Sequence, residues 1–420
     1  MKILVYPHDL KMGGSQMNAI EIAAAVQGQG HDVVVFGQPG PLVEYIGDLG
    51  LEFIESPAVR RRPSLAAAKK LRHLVESRSV EVLHGYEWPP SLECHLAARQ
   101  KEGPAVVSTV MSMAVAPFLP ASLPLTVGTH QIAAVEQASG RSAVTVLEPP
   151  VDVTRNRPGL RLDQDSFRMR WGIRPGAQVV VIVSRLAYQL KLEGIFSAID
   201  VVSGLARGRD VQLLIVGDGP ARAEVTCRAE QTNSSHDRKV VLLTGELDDP
   251  RAAYDIGDVC LGMGGSALRA MAFAKPLVVQ GELGFWELLT PVSVDRFLWQ
   301  GWYGVGQDKE RGRAQLGRIL SELLTNPACR AELGEYGLSL VRDRFSLERA
   351  ADTQIGIYSK ALRDRTTFAA APNTDWRAAA RFVNYEGRRL LARWTGREAS
   401  DDFNSRPIAA RASLVGRNAP

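Results

Sequence analysis

VQLLIVGDGP, residues 211–220, is apolar from Val211 to Val216 except at Gln212 and is stopped by Gly217-Asp218-Gly219-Pro220. A short run that is apolar at nearly every position, not alternating, is the signature of a strand buried on both faces, and the Gly-Asp-Gly-Pro that ends it is a turn former. The same unit recurs on either side. In the second half, strands are expected at Val179–Ser184, Val240–Thr244, Val259–Leu261 and Leu277–Gln280, with helices over Gly194–Ala206 and Ala267–Ala274. In the first half they are expected at Ile3–Tyr6, Asp32–Phe36, Val80–His84, Ala105–Thr109, Leu125–Val127 and Val144–Leu147, with helices over Ser15–Gly28 and Leu65–Ser77. Strands alternating with helix-length segments form parallel sheets covered by helices. The chain of 420 residues suits two such α/β domains better than one core.

The pattern stops and restarts between Pro149 and Pro175. The expected division is therefore a Rossmann-like domain over 1–155, a linker over 156–173, and a second Rossmann-like domain over 174–360. A helical segment over 361–395 returns to the first domain, and 396–420 is an aperiodic polar tail with too little apolar content to fold. Within the helical segment, Trp376–Trp394 is expected to be amphipathic, with Phe382, Val383, Leu390, Leu391 and Trp394 on its apolar side.

Composition narrows the function. Hydrophobic residues make up 45% and charged residues 23%, which is ordinary for a globular protein. From Trp376 to Pro420 there are nine arginines and four acidic residues, so the tail carries the whole formal excess of +4. A near-neutral body argues against nucleic acid as a partner. Cys94, Cys227, Cys260 and Cys329 lie far apart, without ligand spacing, and are expected to be buried thiols in a reducing compartment. Met1–Tyr6 enters a strand directly and no apolar run approaches the roughly 20 residues of a membrane span. A cytoplasmic location follows as the expectation.

Ligands of open α/β sheets bind beyond the carboxyl ends of the strands. Four stretches put suggestive residues there. Gly13-Gly14-Ser15 opens the first helix, where free amides and close backbone approach suit a donor phosphate; a plain turn capped by Ser15 is the alternative. Ser184-Arg185-Leu186 with Lys191 brings two cations into one loop, fit to neutralise a diphosphate leaving group, against the alternative of two solvated surface charges. Gly262-Met263-Gly264-Gly265-Ser266-Ala267-Leu268 is a glycine-rich loop running into a helix, with the amides of Ser266, Ala267 and Leu268 expected to point at an anion; a tight turn capped by Ser266 is the alternative. Gly217-Asp218-Gly219-Pro220 is read as a turn former shaping the wall.

In this order the stretches resemble the retaining glycosyltransferases of the GT-B fold known as family GT4. The resemblance rests on Arg185 and Lys191, on Val216–Pro220, on Leu243-Thr244-Gly245-Glu246 and on Ala270-Met271-Ala272-Phe273-Ala274-Lys275-Pro276. It also rests on Leu283-Gly284-Phe285-Trp286-Glu287 and, in the first half, on Gly13-Gly14-Ser15, Val82-Leu83-His84 and Glu148–Asp152. Arg344–Arg349 is similar to the family's closing helix, so the likeness spans about residues 1–360. It implies two doubly wound domains with the active site in the cleft between them. The activity implied is transfer of a sugar from a UDP- or GDP-sugar, with the donor as co-substrate, no cofactor and no metal. Arg185 and Lys191 would be catalytic. Gly13, Gly14, Ser15, Gly265, Ser266, Ala267 and Leu268 would bind the donor phosphates, and Gly217, Gly245, Glu246, Leu247 and Arg269 the nucleoside. His84, Glu87, Met263 and Gly264, with His8 and Asp9, are candidates for the sugar and acceptor, and Tyr86 and Trp88 would suit a ring-shaped acceptor unless they simply pack. The acceptor is expected to be a small molecule of bacterial specialised metabolism.

Two departures stand out. The family's pair of glutamates flanking the glycine-rich loop, aligned on Ala270-Met271-Ala272, falls on Leu261 and Arg269, so both carboxylates are missing; in relatives one binds the donor ribose and the other lies near the sugar. Where many relatives have a histidine beside the donor sugar, this chain has Thr109-Val110-Met111. The alternatives are therefore a catalytically impaired binding subunit and, with little support, a nucleotide-sugar epimerase. A third is a membrane-associated transferase for a lipid or polysaccharide acceptor, docking through Arg60-Arg61-Arg62, Lys69, Lys70, Arg72 and the arginine-rich tail.

Overall fold

The computed structural model describes residues 1–59, 61–99, 103–364, 372–394 and 408. The chain forms two compact units. The first comprises Met1–Pro150 and the described residues from Leu347 onward; the second comprises Val151–Ser346.

In the first unit β1 (Lys2–Tyr6), α1 (Gly14–Gly28), β2 (Asp32–Gly37), α2 (Leu42–Asp48), β3 (Glu52–Glu55), α3 (Leu65–Arg78), β4 (Val82–Tyr86), α4 (Trp88–Ala97), β5 (Ala105–Val110), β6 (Leu125–Val127), α5 (His130–Ala138) and β7 (Val144–Val146) follow one another. The sheet is parallel, in the order β3-β2-β1-β4-β5-β6-β7. Its strands feed two cores because successive side chains point to opposite faces. Ile3 and Val5 pack with Ile20, Ile22 and Ala351, whereas Leu4 and Tyr6 pack with Leu71, Leu74 and Cys94.

The second unit runs α6 (Gln164–Trp171), β8 (Gln178–Val183), α7 (Leu192–Ala206), β9 (Val211–Val216), α8 (Arg222–Ser234), β10 (Val241–Gly245), α9 (Arg251–Ile256), β11 (Val259–Gly262), α10 (Gly265–Ala272), β12 (Leu277–Gln280), β13 (Trp286–Leu288), α11 (Val294–Gln300), α12 (Lys309–Thr325) and α13 (Pro327–Arg344). The sheet order is β10-β9-β8-β11-β12-β13, parallel except for β13 on the edge. Val179 and Val181 face one core, Val180 and Ile182 the other. Both sheets are thus doubly wound, and each reverses its strand order once, between β1 and β4 and between β8 and β11.

The boundaries differ from those expected. The chain leaves the first unit at Pro150, and the stretch taken for a linker, 156–173, belongs to the second unit. Its Leu160, Leu162, Phe167 and Trp171 pack on that unit's core, an apolar content masked in sequence by the surrounding prolines and arginines. The second unit ends at Ser346, not 360, because α14 (Leu347–Arg363) buries Ala350, Ala351, Ile357 and Tyr358 in the first unit. The helix α15 (Pro372–Trp394) also belongs there. Its Phe382 and Tyr385 meet Trp88 and Phe118, while Val383, Leu390 and Leu391 are exposed, so the packed stripe differs from the expected one. The Trp394 side chain and, apart from Ile408, the tail 396–420 lie outside the described residues. All four cysteines are free; Cys94 and Cys260 are buried, but Cys227 is exposed.

One buried ion pair braces the first unit. Arg62 donates to Glu93 Oε2 at 2.8 Å, to the Tyr6 hydroxyl at 2.7 Å and to the His8 carbonyl at 3.0 Å, while Ser64 N donates to Glu93 Oε1 at 2.6 Å. Glu93 has no exposed surface, so without Arg62 its charge is stranded. Arg62→Met is expected to cost the first unit about 3–5 kcal/mol, the usual penalty for orphaning a buried charge, read as an earlier transition in urea unfolding.

Candidate active site

The point where a doubly wound sheet reverses its strand order leaves a crevice at the strand tips. In the second unit that point separates β8 from β11. The loop after β8 carries Arg185 and Lys191, and the loop after β11 carries Gly262–Gly264. The two expected anion-binding stretches are therefore neighbours, because Val259–Leu261 pairs in register with Val180–Ile182.

The β8 loop is held by its neighbours' backbones. Ser184 N donates to Val216 O at 2.9 Å, Leu186 N to Asp218 O at 2.8 Å, and Ala221 N to Leu186 O at 2.9 Å. A Cβ at Gly217 would come within 2.0 Å of Ser184 O and one at Gly219 within 2.5 Å of Leu186 O. The Gly-Asp-Gly turn is the cradle of the cation loop, and Asp218 is occupied in that role, accepting from Gly219 N and pairing with Arg222. Gly217 N donates to Gly245 O at 2.8 Å, tying in the β10 tip, where Glu246 is exposed and Leu247 half-buried. On the other side Gln280, buried at the end of β12, donates to Lys191 O at 3.1 Å. This glutamine was not anticipated; a polar residue closing an apolar strand is the signal that pointed to it.

Neither cation on this loop has a carboxylate partner among the described residues. Arg185 is exposed and its guanidinium makes no hydrogen bond or ion pair among the described residues. Lys191 is half-buried and occupies the N-cap of α7, where the helix dipole already presents positive charge. Burial lowers its ammonium from the ordinary lysine value to about 8.

The glycine loop is built differently from the expectation. Ser266 does not cap the helix; its hydroxyl donates to Met263 O at 3.0 Å and accepts from Met263 N at 3.3 Å, closing the loop on itself. The N-cap is Gly264, with φ 57°, and Gly264 O accepts from Ala267 N at 3.1 Å and Leu268 N at 3.4 Å. The amides of Ala267 and Leu268, both fully buried residues, are thus engaged in the turn, and the donors at this helix start without an acceptor among the described residues are Gly265 N and Ser266 N. Arg269 lies over Gly265, with Nη1 3.5 Å from where a Cβ would stand. Met263 is buried and Gly264 half-buried.

In the first unit the reversal separates β1 from β4, and Gly13-Gly14-Ser15 and Glu87 lie at those tips. Glu87 adopts φ 67°, ψ 171°, a region that costs a non-glycine residue roughly 1–3 kcal/mol. Its backbone is locked there: N donates to Thr109 O at 2.7 Å, and O accepts from Ser91 N at 3.2 Å and Ser91 Oγ at 2.7 Å. Its Oε1 accepts from Ser15 Oγ at 2.9 Å, Met111 N at 3.0 Å and Ser112 N at 3.1 Å. The Ser15 hydroxyl, expected to serve a donor phosphate with Gly13 and Gly14, is committed to a carboxylate of the chain itself.

His84 is corrected as an acceptor candidate. It is wholly buried, hydrogen-bonded at 2.7 Å to both the Tyr358 hydroxyl and Thr109 Oγ1, and burial lowers its imidazole to about 3. A neutral imidazole so enclosed ties α14 to β4. Tyr86 is buried beside it, and Trp88 packs on Phe118, Phe382 and Tyr385, so both aromatics are structural. The basic stretch proposed for lipid is partly spent: Arg62 is in the Glu93 network, Lys70 donates to Glu55 O, and Arg72 to Leu96 O; Arg60 lies outside the described residues. Among the described residues no helix is long and apolar enough to cross a membrane, and no group of three or more histidine, cysteine or acidic residues is placed to hold a metal.

Comparison with known proteins follows this geometry. Residues 13–149 match the model of the glycosyl transferase 4-like domain, and residues 177–298 that of glycosyl transferases group 1. A 2-deoxystreptamine glucosyltransferase of Streptomyces kanamyceticus is 28% identical over 249 residues, 57% of this chain and 60% of the relative. The match thus spans less than two thirds of that relative's length. A glycosyltransferase structure from Rickettsia africae aligns with a TM-score of 0.69 at 14% identity, covering 86% of this chain and 99% of that one. Anabaena HepE in complex with UDP aligns with a TM-score of 0.64 at 14% identity, covering 86% and 100%.

Lys191 gives this site a pH signature. Its folded-state pKa of about 8 lies below the unfolded value, so the folded chain sheds this proton first and gains stability as pH rises from about 8 towards the unfolded value. An anion bound to the protonated form works against that loss. Relative to Lys191→Met, the wild-type protein is expected to lose its advantage in pyrophosphate affinity progressively above about pH 8. Titration calorimetry of both proteins from about pH 6.5 to 9.5 would measure it, the variant carrying only pyrophosphate's own titration.

Proposed function

We propose, for a chain that carries the two domains of the GT-B glycosyltransferase family, that it transfers a sugar from a nucleotide-diphosphate sugar to a small-molecule acceptor. The observation that supports this most directly is the pair Arg185 and Lys191, both without a carboxylate partner, on a loop next to the open amides of Gly265 and Ser266. A diphosphate answers both features: a guanidinium grips its oxygens through a planar fork, an ammonium adds a point charge, and a helix start adds two N–H donors.

In this reading the nucleoside rests by Gly217, Gly245, Glu246 and Leu247, with Arg269 alongside, and the sugar lies against Met263 and Gly264. The glycosidic carbon–oxygen bond to the diphosphate breaks as the acceptor's bond forms on the same face. The acceptor's proton passes to a diphosphate oxygen, so the configuration is retained without a dedicated protein base. The protein's task is to stabilise charge growing on the leaving group, and Arg185 and Lys191 do so in place of a metal.

The base and the cations are separable by experiment. In a thermal-shift panel of UDP, GDP, ADP and TDP the preferred diphosphate should raise stability by about 2.7 kcal/mol at a hundredfold excess over its dissociation constant; a flat panel would remove the donor assignment. With the matching sugar nucleotide, Lys191→Ala should lower turnover by about 10²–10³, the range for loss of one transition-state charge contact, with a much smaller change in nucleoside affinity. Unchanged turnover would exclude Lys191 from the reaction.

A further inference from the structure

We infer that Glu87 is the specificity-determining residue of the acceptor side and that the acceptor it selects carries a protonated amine. The inference rests on the transferase reading above and adds the chemical class of the second substrate.

Three donors converge on Glu87 Oε1, and none reaches Oε2 among the described residues. The residue is only 7% exposed, and no lysine, arginine or histidine comes within ion-pair distance of it among the described residues. A carboxylate withdrawn from water is ordinarily paired with a cation. Arg62, at the same end of the sheet, is committed to Glu93, Tyr6 and the His8 carbonyl. The neighbouring acid at the β1 tip, Asp9, accepts from Gln16 Nε2 and Lys11 N and adds negative charge instead of balancing it.

The backbone points the same way. Glycine would occupy φ 67°, ψ 171° without strain, yet the chain keeps a glutamate there and locks it through Thr109 and Ser91. Oε1 meanwhile gathers the first turn of α1 and the end of β5 around one point, so Oε2 is held in a fixed place at the strand reversal. A fixed, partly desolvated carboxylate oxygen lacking a cation discriminates an ammonium from a hydroxyl, because only the ammonium brings both a donor and the missing charge.

The test uses the full chain saturated with UDP and titrates 2-deoxystreptamine against myo-inositol, a ring of similar size without amines. The wild-type protein is expected to bind the diamine at least about tenfold more tightly than the polyol. Glu87→Gln, which keeps the Oε1 acceptor and removes the charge, should erase that preference while leaving polyol binding in place. Glu87→Gly, which takes the backbone conformation without strain, should do the same if the glutamine variant does not fold. Equal affinity for the two rings in the wild type, binding of neither, or a parallel loss of both rings in the variants would overturn the assignment. The UDP response is read separately in each titration, so a failed amine preference with UDP still bound refutes this inference alone, and absence of UDP binding in the wild type refutes the donor reading.

Discussion

A half-buried ammonium group with no carboxylate partner among the described residues stands at the strand reversal of the second unit. Lys191 sits at a helix N-terminus and is desolvated, and either condition alone disfavours a cation. The surroundings nevertheless fix it in place: Gln280 holds its carbonyl, and Gly217 and Gly219 let the turn after β9 support the loop from below. The charge is thus kept at a cost to stability on a loop braced by its neighbours' strands.

The two strand reversals are electrostatic opposites. At the second unit's reversal the uncommitted groups are cations and amides; at the first unit's it is the carboxylate oxygen of Glu87. Each lacks a partner of opposite charge among the described residues of its own unit, and the two are opposite in sign. The same contrast explains why the glycine pair at α1 and the glycine loop at α10, so alike in sequence, take different partners. Ser15 turns its hydroxyl to a carboxylate, whereas Ser266 turns its own inward to Met263 and leaves the helix start open.

Much of this was legible in the residues, and the exceptions have physical causes. The apolar runs that form β1, β2, β4 to β12 announce themselves because parallel strands are buried on both faces. β3 and β13 do not, being short edge strands whose half-exposed Glu-Phe-Ile-Glu and Trp-Glu-Leu carry no such run. The cations of the β8 loop were evident from type and spacing, but which amides of the glycine loop stay open depends on the backbone turn at Gly264, whose carbonyl takes Ala267 N and Leu268 N. His84 looked like a strand-end ligand because its partner Tyr358 lies 274 residues away, beyond the reach of any local reading. Glu87 stood out only as an acid near a strand end; its backbone strain and its lone oxygen are properties of the folded chain.

The missing glutamates acquire a meaning from the same geometry. Leu261, where alignment sets the first, is a β11 residue 2% exposed, packed with Val259, Val278 and Ile182. A glutamate put back there would bury a carboxylate among aliphatic side chains. Arg269, where alignment sets the second, lies over Gly265 and close enough to Tyr254 to act on its hydroxyl. Replacing an acid by a guanidinium at this point adds to the positive character that Arg185 and Lys191 already give the tip. On the reading proposed above, the replacement of both carboxylates leaves recognition of the donor's ribose to backbone and neutral groups.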